Sequence, residues 1–143
     1  MKALFLGLAA LVLACAAPAK AELMIDIKVA AHSERMEVIV DGVPTYSWSV
    51  STARAGMVTP VGVYHVQSMD ADHYSTLYNS APMPHAIFFN GNIAIHGIVG
   101  AKEIAALGTP ASHGCVRLHP QNAGILYNLV RQRVADTVIV VHH

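Results

Sequence analysis

The chain is 143 residues long and carries nine basic and nine acidic side chains, so it is formally neutral with its histidines uncharged. That balance excludes the cationic face of a nucleic-acid binder, and the length suits one compact domain around one core. No appended repeat module or long linker is expected.

Met1-Lys2 makes a short positive start, Ala3 to Ala14 an apolar run, and Ala19-Lys20-Ala21 a small-residue end at cleavage spacing. This pattern reads as a secretory signal peptide over residues 1–21. A spanning helix needs about 20 apolar residues, and this run gives way to Pro18 and Lys20 sooner. A competing reading takes Val12-Leu13-Ala14-Cys15 as a lipoprotein box with Cys15 lipidated, but the Ala-x-Ala site is the better fit. Export leaves residues 22–143 as the working domain, where the loss of Lys2 and Lys20 brings the net charge to about −2.

Strand patterns follow in order. Leu23, Ile25, Ile27 and Val29 alternate with polar or exposed-type residues. Met36 to Val40 and Val43 to Val50 flank Asp41-Gly42, a favoured hairpin turn, and Pro44 places the second run at a sheet edge. Val61 to Gln67 is a further strand. Asp70 to Pro84, with its Asp, Ser, Asn and two prolines, reads as a long surface excursion of the kind that forms lids. In "AIFFNGNIAIHG" the pair Asn90-Gly91 joins two apolar runs, the second ending at His96-Gly97. Ala101 to Leu107 is a short helix. Pro120 starts a longer one, with Ala123, Leu126, Tyr127 and Val130 at helical spacing up to Arg131 and Arg133, and Val138 to Val141 closes the chain as a buried strand. The fold class is mainly β, a single domain of mixed sheets with two short helices.

With Cys15 leaving in the leader, Cys115 is the one remaining thiol, in a compartment where thiols are normally paired. Such a cysteine is either an inert buried residue or a reactive one. Its neighbours favour reactivity. A thiol becomes a good nucleophile as thiolate, which takes an adjacent base or cation. His113 is two residues away, His96 ends the preceding apolar run, and Arg117 is placed to hold a substrate carboxylate. Gly114 allows close backbone approach, and amides around Cys115 can form an oxyanion hole.

"IHG" at Ile95 to Gly97, a spacer of fifteen residues from Gly97 through Ala111, and "SHGCVRL" at Ser112 to Leu118 together resemble the signature of the L,D-transpeptidases, the YkuD or ErfK/YbiS/YcfS/YnhG domains. The resemblance extends through "STARAGMVTPVGVY" and "APMPHAIFFNGNIAIHG". It implies that Cys115 is a nucleophile that attacks a peptidoglycan stem between its third and fourth residues, expels D-alanine and forms a thioester. It makes His96 the general base, the Gly97 carbonyl its orienter, His113 a supporting histidine, and Gly114 with Cys115 the oxyanion amides. Ser112 is expected to hold the loop by hydrogen bonding at the rim of the substrate groove, with Arg117, Tyr74, Met83 and His85 as further groove residues. An amine then opens the thioester. The resemblance also implies a periplasmic location, peptidoglycan stem peptides as partners, an outer-membrane protein among the acceptors, and carbapenems as inhibitors that acylate the cysteine. No cofactor or metal is needed, since thiol and imidazole supply nucleophile and base. Two positions depart from the broad pattern: Arg117 stands where asparagine is common, and Gly97 where serine is.

Rival chemistries use the same groups. Papain-like and NlpC-type peptidases place cysteine before histidine in the chain, and here the order is reversed. A zinc site from His96, His113, Cys115 and His119 matches no structural zinc spacing. A non-catalytic wall-binding module has no use for Cys115 and His96 together. An L,D-carboxypeptidase, with water as acceptor, remains open.

Overall fold

The first hairpin forms where Asp41-Gly42 places it. In the computed structural model, which describes residues 25–143, Asp41 and Gly42 have φ of 52° and 79°. A two-residue turn between right-twisted strands requires this left-handed backbone, which Asp and Gly adopt at least cost. The turn joins β2 (Arg35–Val40) to β3 (Val43–Ser49), and β1 (Ile25–Ala30) pairs antiparallel with β2. Along β2, Met36 and Val38 are buried while Arg35 and Glu37 are exposed, so the period of two puts one face on the core. The expected leader over residues 1–21 and the alternative at Cys15 lie outside the described residues.

The last strand, β9 (Thr137–His142), lies parallel to β1 and antiparallel to β4 (Gly62–His65). The five-stranded sheet therefore runs β3-β2-β1-β9-β4. Pro44 falls in an edge strand, where its missing N–H leaves no gap on the open side.

The second sheet runs β5-β6-β7-β8, built from β5 (Ser68–Tyr74), β6 (Pro82–Asn90), β7 (Ile93–Gly97) and β8 (Val116–Leu118). Here the expected long excursion from Asp70 to Pro84 is corrected. Asp70, Asp72 and Tyr74 are strand residues paired with Ala86, Pro84 and Pro82, so the loop shrinks to Ser75–Ala81. The sequence is misleading because β5 is an edge strand with most of its side chains in solvent, where polar residues cost nothing. The prolines are tolerated because β6 pairs with β7 only from Ile87 onward. The second hairpin turn also shifts by one residue. Asn90 pairs with Ile93 across a bulge, so the turn is Gly91-Asn92 rather than Asn90-Gly91.

Two helices complete the domain: α1 (Ala101–Ala105) and α2 (Pro120–Val130). Pro120 occupies the first turn, where its missing N–H is unneeded, and the His119 ring caps it by accepting from the Gln121 N–H. α2 packs on β6 and β7 through Ala123, Leu126 and Val130. These join Val29, Met36, Ile139 and Val141 of the first sheet and Ile87, Phe89, Ile95 and Leu118 of the second in one core. Burying a side chain of this kind contributes roughly 1.5–3 kcal/mol. The core thus clamps β7 and β8, the strands that carry His96 and follow Cys115. Among the described residues no helix is long and apolar enough to cross a membrane.

Candidate active site

Cys115 sits at the entry to β8, whose parallel pairing sets Val116 beside Ile95 and Arg117 beside His96. The shifted turn of the β6–β7 hairpin brings two backbone groups to the sulfur. The Ala94 N–H donates to Sγ at 3.4 Å, and Sγ donates to the Asn92 carbonyl at 3.6 Å.

The loop before it is tied to itself. Ser112 is fully buried; its hydroxyl donates to the Cys115 carbonyl at 2.6 Å and accepts from the Gly114 N–H at 3.0 Å. The Thr59 hydroxyl donates to the Gly114 carbonyl at 2.8 Å. One expectation holds here and one is revised. Ser112 spends its hydroxyl on holding the loop, as expected, and so positions Cys115. The Gly114 N–H is likewise engaged, so of the expected oxyanion pair only the Cys115 amide is left for that role.

Gly114 itself is demanded by space. Its φ is 141°, and a Cβ there would lie 2.8 Å from Ile93 Cδ1 and 2.9 Å from the Val58 carbonyl oxygen. Gly114→Ala is expected to cost roughly 3 kcal/mol through strain and overpacking. Urea unfolding measures the loss, and an unchanged midpoint would mean that the loop has another conformation open to it.

His96 is the penultimate residue of β7 and is 6% exposed. Its Nδ1 lies 2.6 Å from the Gly97 carbonyl. A carbonyl only accepts, so Nδ1 carries the proton and Nε2 is the basic nitrogen. Gly97 explains its own departure from serine. A Cβ at that position would meet Ala123 Cβ at 3.1 Å and Pro84 at 3.3 Å, because α2 packs directly against the strand end.

Burial above all holds the His96 ring at a pKa of about 4; the Gly97 bond opposes the shift, and the Arg117 and His73 charges add to it. Burial also pushes the Cys115 thiol up, partly offset by the Ala94 N–H and Arg117. The resting pair is therefore neutral thiol and neutral imidazole. This has a consequence for stability. The unfolded chain protonates His96 near pH 6.5, whereas the folded protein resists down to about 4. Stability from this residue is complete above pH 6.5 and is lost as pH falls to 4, a change of about 3 kcal/mol. Urea unfolding across that window is expected to show His96→Gln losing correspondingly less stability than the native protein; parallel curves would contradict the buried neutral ring.

Cys115, His96, His113, Ser112 and Arg117 all line one open cleft of about 240 Å³. Met83 lines it too. His113 stacks on Tyr78 of the Ser75–Ala81 loop, with ring centroids 4.2 Å apart and 12° between planes. Its pKa is lowered by desolvation and by the charges of Arg54 and Arg117. Tyr74 and His85, expected in the groove, do not line it. Tyr74 is 59% exposed on the edge strand. The His85 ring packs on the other side of the sheet, beside Gly124 and Tyr127 of α2, with Nδ1 buried and unbonded. A positive φ of 56° redirects His85 from the simple alternation that its neighbours suggest. Among the described residues no three His, Cys, Asp or Glu side chains gather as a metal site, and His119 is engaged as a helix cap.

Sequence reasoning missed Glu34 and Thr52. Glu34 is buried in the β1–β2 turn at φ 50°, and its carboxylate accepts from the Thr52 N–H and hydroxyl, both at 2.6 Å. The Thr52 carbonyl in turn accepts from the Ala111 and Ser112 N–H groups at 3.0 and 2.9 Å. A buried carboxylate in the first sheet thus anchors the segment from which the cysteine loop hangs. Glu34 follows His32-Ser33 in what reads as a solvated turn, so no local signal marks it.

Fold and site together define a class: two mixed β-sheets presenting a cysteine and a buried, carbonyl-bound histidine in one cleft. The chain belongs to the L,D-transpeptidase catalytic domain family, YkuD, whose model matches residues 24–140. Solved structures agree in fold. An L,D-transpeptidase from Mycobacterium smegmatis superposes with a TM-score of 0.76 at 19% identity, covering 85% of this chain and 59% of its own. One from Mycobacterium tuberculosis H37Rv gives 0.75 at 22%, covering 85% and 58%. An L,D-transpeptidase in complex with imipenem gives 0.71 at 20%, covering 84% and 59%. The chain spans about three fifths of the length of these structures. No curated protein matches it.

Proposed function

We propose that this protein transfers a peptidoglycan stem peptide through Cys115 to an amine acceptor, acting in the periplasm after export. The observation that carries the proposal is the shared cleft: a thiol held by the Ala94 N–H and Asn92 carbonyl, with a histidine tautomer fixed by the Gly97 carbonyl. Sγ attacks the stem carbonyl as its proton passes to His96 Nε2. The C–S bond forms, the C–N bond to D-alanine breaks, and the imidazolium returns the proton to the departing amine. The Cys115 amide stabilises the oxyanion between the two events. The acceptor amine then attacks the thioester, forming C–N and breaking C–S, and its proton returns through His96 to the thiol. Splitting one amide exchange in this way replaces a difficult step by two easier ones.

Amine acceptors include another stem, a free D-amino acid and the amine of an outer-membrane protein; water in their place gives a carboxypeptidase. A related structure holds imipenem, which supports carbapenems as acylating probes of Cys115. The test is mass spectrometry of residues 22–143 with disaccharide-tetrapeptide, alongside Cys115→Ala. Release of D-alanine by the native protein alone is expected, with a cross-linked dimer as product. A tripeptide alone would make the enzyme a hydrolase, and no release together with no carbapenem adduct would overturn the proposal.

A further inference from the structure

The cleft around Cys115 is mostly apolar, yet its wall carries one carboxylate, Glu103 of α1, and one guanidinium, Arg117 of β8. Glu103 forms no ion pair or side-chain hydrogen bond among the described residues. Arg117 makes one long bond, to the Ala111 carbonyl at 3.4 Å, leaving most of its five donors unused. Glu103 Oε2 folds back over Gly100, 2.6 Å from where a Cβ would stand; that flexible carboxylate end can swing away, and it is the φ of 106° that favours glycine at this position.

An unused carboxylate and an unused guanidinium on the wall of a small apolar cleft call for a ligand with both complementary charges. The thioester step supplies the candidate, since its nucleophile is an amine. We infer that Glu103 and Arg117 select the acceptor, Glu103 taking the ammonium and Arg117 the carboxylate of an α-amino-acid end, whether of a free D-amino acid or of the side chain of a stem peptide. The inference rests on the acyl-transfer reading above. An amine with no carboxylate beside it, such as a protein lysine, leaves Arg117 unanswered and is disfavoured, as is water. In the transfer itself the bound ammonium first releases one proton to solvent. The free amine then forms the C–N bond while C–S breaks, and the second proton passes through His96 to Sγ.

The experiment uses protein acylated by disaccharide-tetrapeptide and offered D-methionine, D-methioninamide, or hydroxylamine, which is neutral at pH 7. The native protein is expected to use D-methionine about tenfold better in kcat/KM than the amide. Glu103→Gln is expected to raise the KM for D-methionine about tenfold or more while kcat changes little, since a charge-assisted hydrogen bond is lost in binding. Reaction with hydroxylamine, which has no ammonium to hold, keeps its native rate and reports an intact site. A tetrapeptide acceptor tested in the same way separates the two sources: a KM rise for both places the shared amino-acid end in the cleft, and a rise for one names that source. Equal use of D-methionine and its amide, or an unchanged KM in Glu103→Gln, would overturn the inference. Failure of the native protein to form any adduct, even with a carbapenem, would instead remove the acyl-transfer reading and this one with it.

Discussion

Cys115→Ala is expected to abolish acylation by both tetrapeptide and carbapenem, and His96→Gln to slow it about 10³-fold at pH 7. The difference between the two variants follows from what each removes. Without Sγ there is no covalent intermediate, so nothing is left but background. Without the imidazole the thiol survives, but burial holds it mostly protonated, and the base proposed to take its proton is gone. The neutral resting pair also predicts two different pH profiles. Alkylation by iodoacetamide needs thiolate formed in advance, so its rate is expected to climb about tenfold per pH unit from pH 6 to 8. Acylation by a good donor uses neutral His96 as base, which is present above a pKa of about 4, so its rate is expected to stay nearly flat from about pH 5 upward. Two flat profiles would mean that Cys115 and His96 rest as an ion pair. A His96→Gln protein acylating at the native rate would assign the base elsewhere.

What could be read from the amino acids was whatever depends on local chemistry. Asp41-Gly42 announces its hairpin because few other residues accept two consecutive positive φ values, and Pro120 marks the start of α2 because the first turn has no use for its N–H. The signature was legible because Ile95 to Gly97 and Ser112 to Leu118 are short contiguous stretches, and the fold brings His96 and Cys115 into one cleft. Features fixed by tertiary pairing were not. Asp70 and Asp72 look like loop residues until the partners Ala86 and Pro84 are seen. β8 is three residues long and is a strand only because β7 lies beside it. Tyr74 and His85 are expected in the groove because they fall in or beside the Asp70 to Pro84 stretch that reads as a lid, but β5 carries one to an exposed edge, and a local backbone reversal turns the other toward α2. Glu103 sits on a helix that was foreseen, yet nothing in Ala101 to Leu107 says that its carboxylate faces the cysteine cleft.

Glu34→Ala is expected to destabilise the protein by roughly 3–5 kcal/mol, although Glu34 is in the first sheet and the cysteine is in the second. Removing the carboxylate strands the Thr52 N–H and hydroxyl, both of which now donate at 2.6 Å in a buried setting. Each bond to a charged acceptor is worth roughly 1.5–3 kcal/mol, and unmet buried donors forfeit that in full. Acylation should fall beyond what unfolding explains, because the Thr52 carbonyl receives the Ala111 and Ser112 N–H groups, and Ser112 in turn binds the Cys115 carbonyl. Glu34→Gln separates geometry from charge. Its amide oxygen can still accept from the Thr52 N–H, and its amide nitrogen can donate to the Thr52 hydroxyl once that hydroxyl turns to accept. The glutamine protein should therefore lose about 1–2 kcal/mol and keep most of its acylation rate. Urea unfolding and carbapenem acylation of both variants, measured where each is folded, check the pair. An alanine variant that is destabilised but acylates at the native rate would show that the cysteine loop holds its shape without Thr52. Equal losses in both variants would instead make the negative charge, rather than the two hydrogen bonds, the element that Thr52 requires.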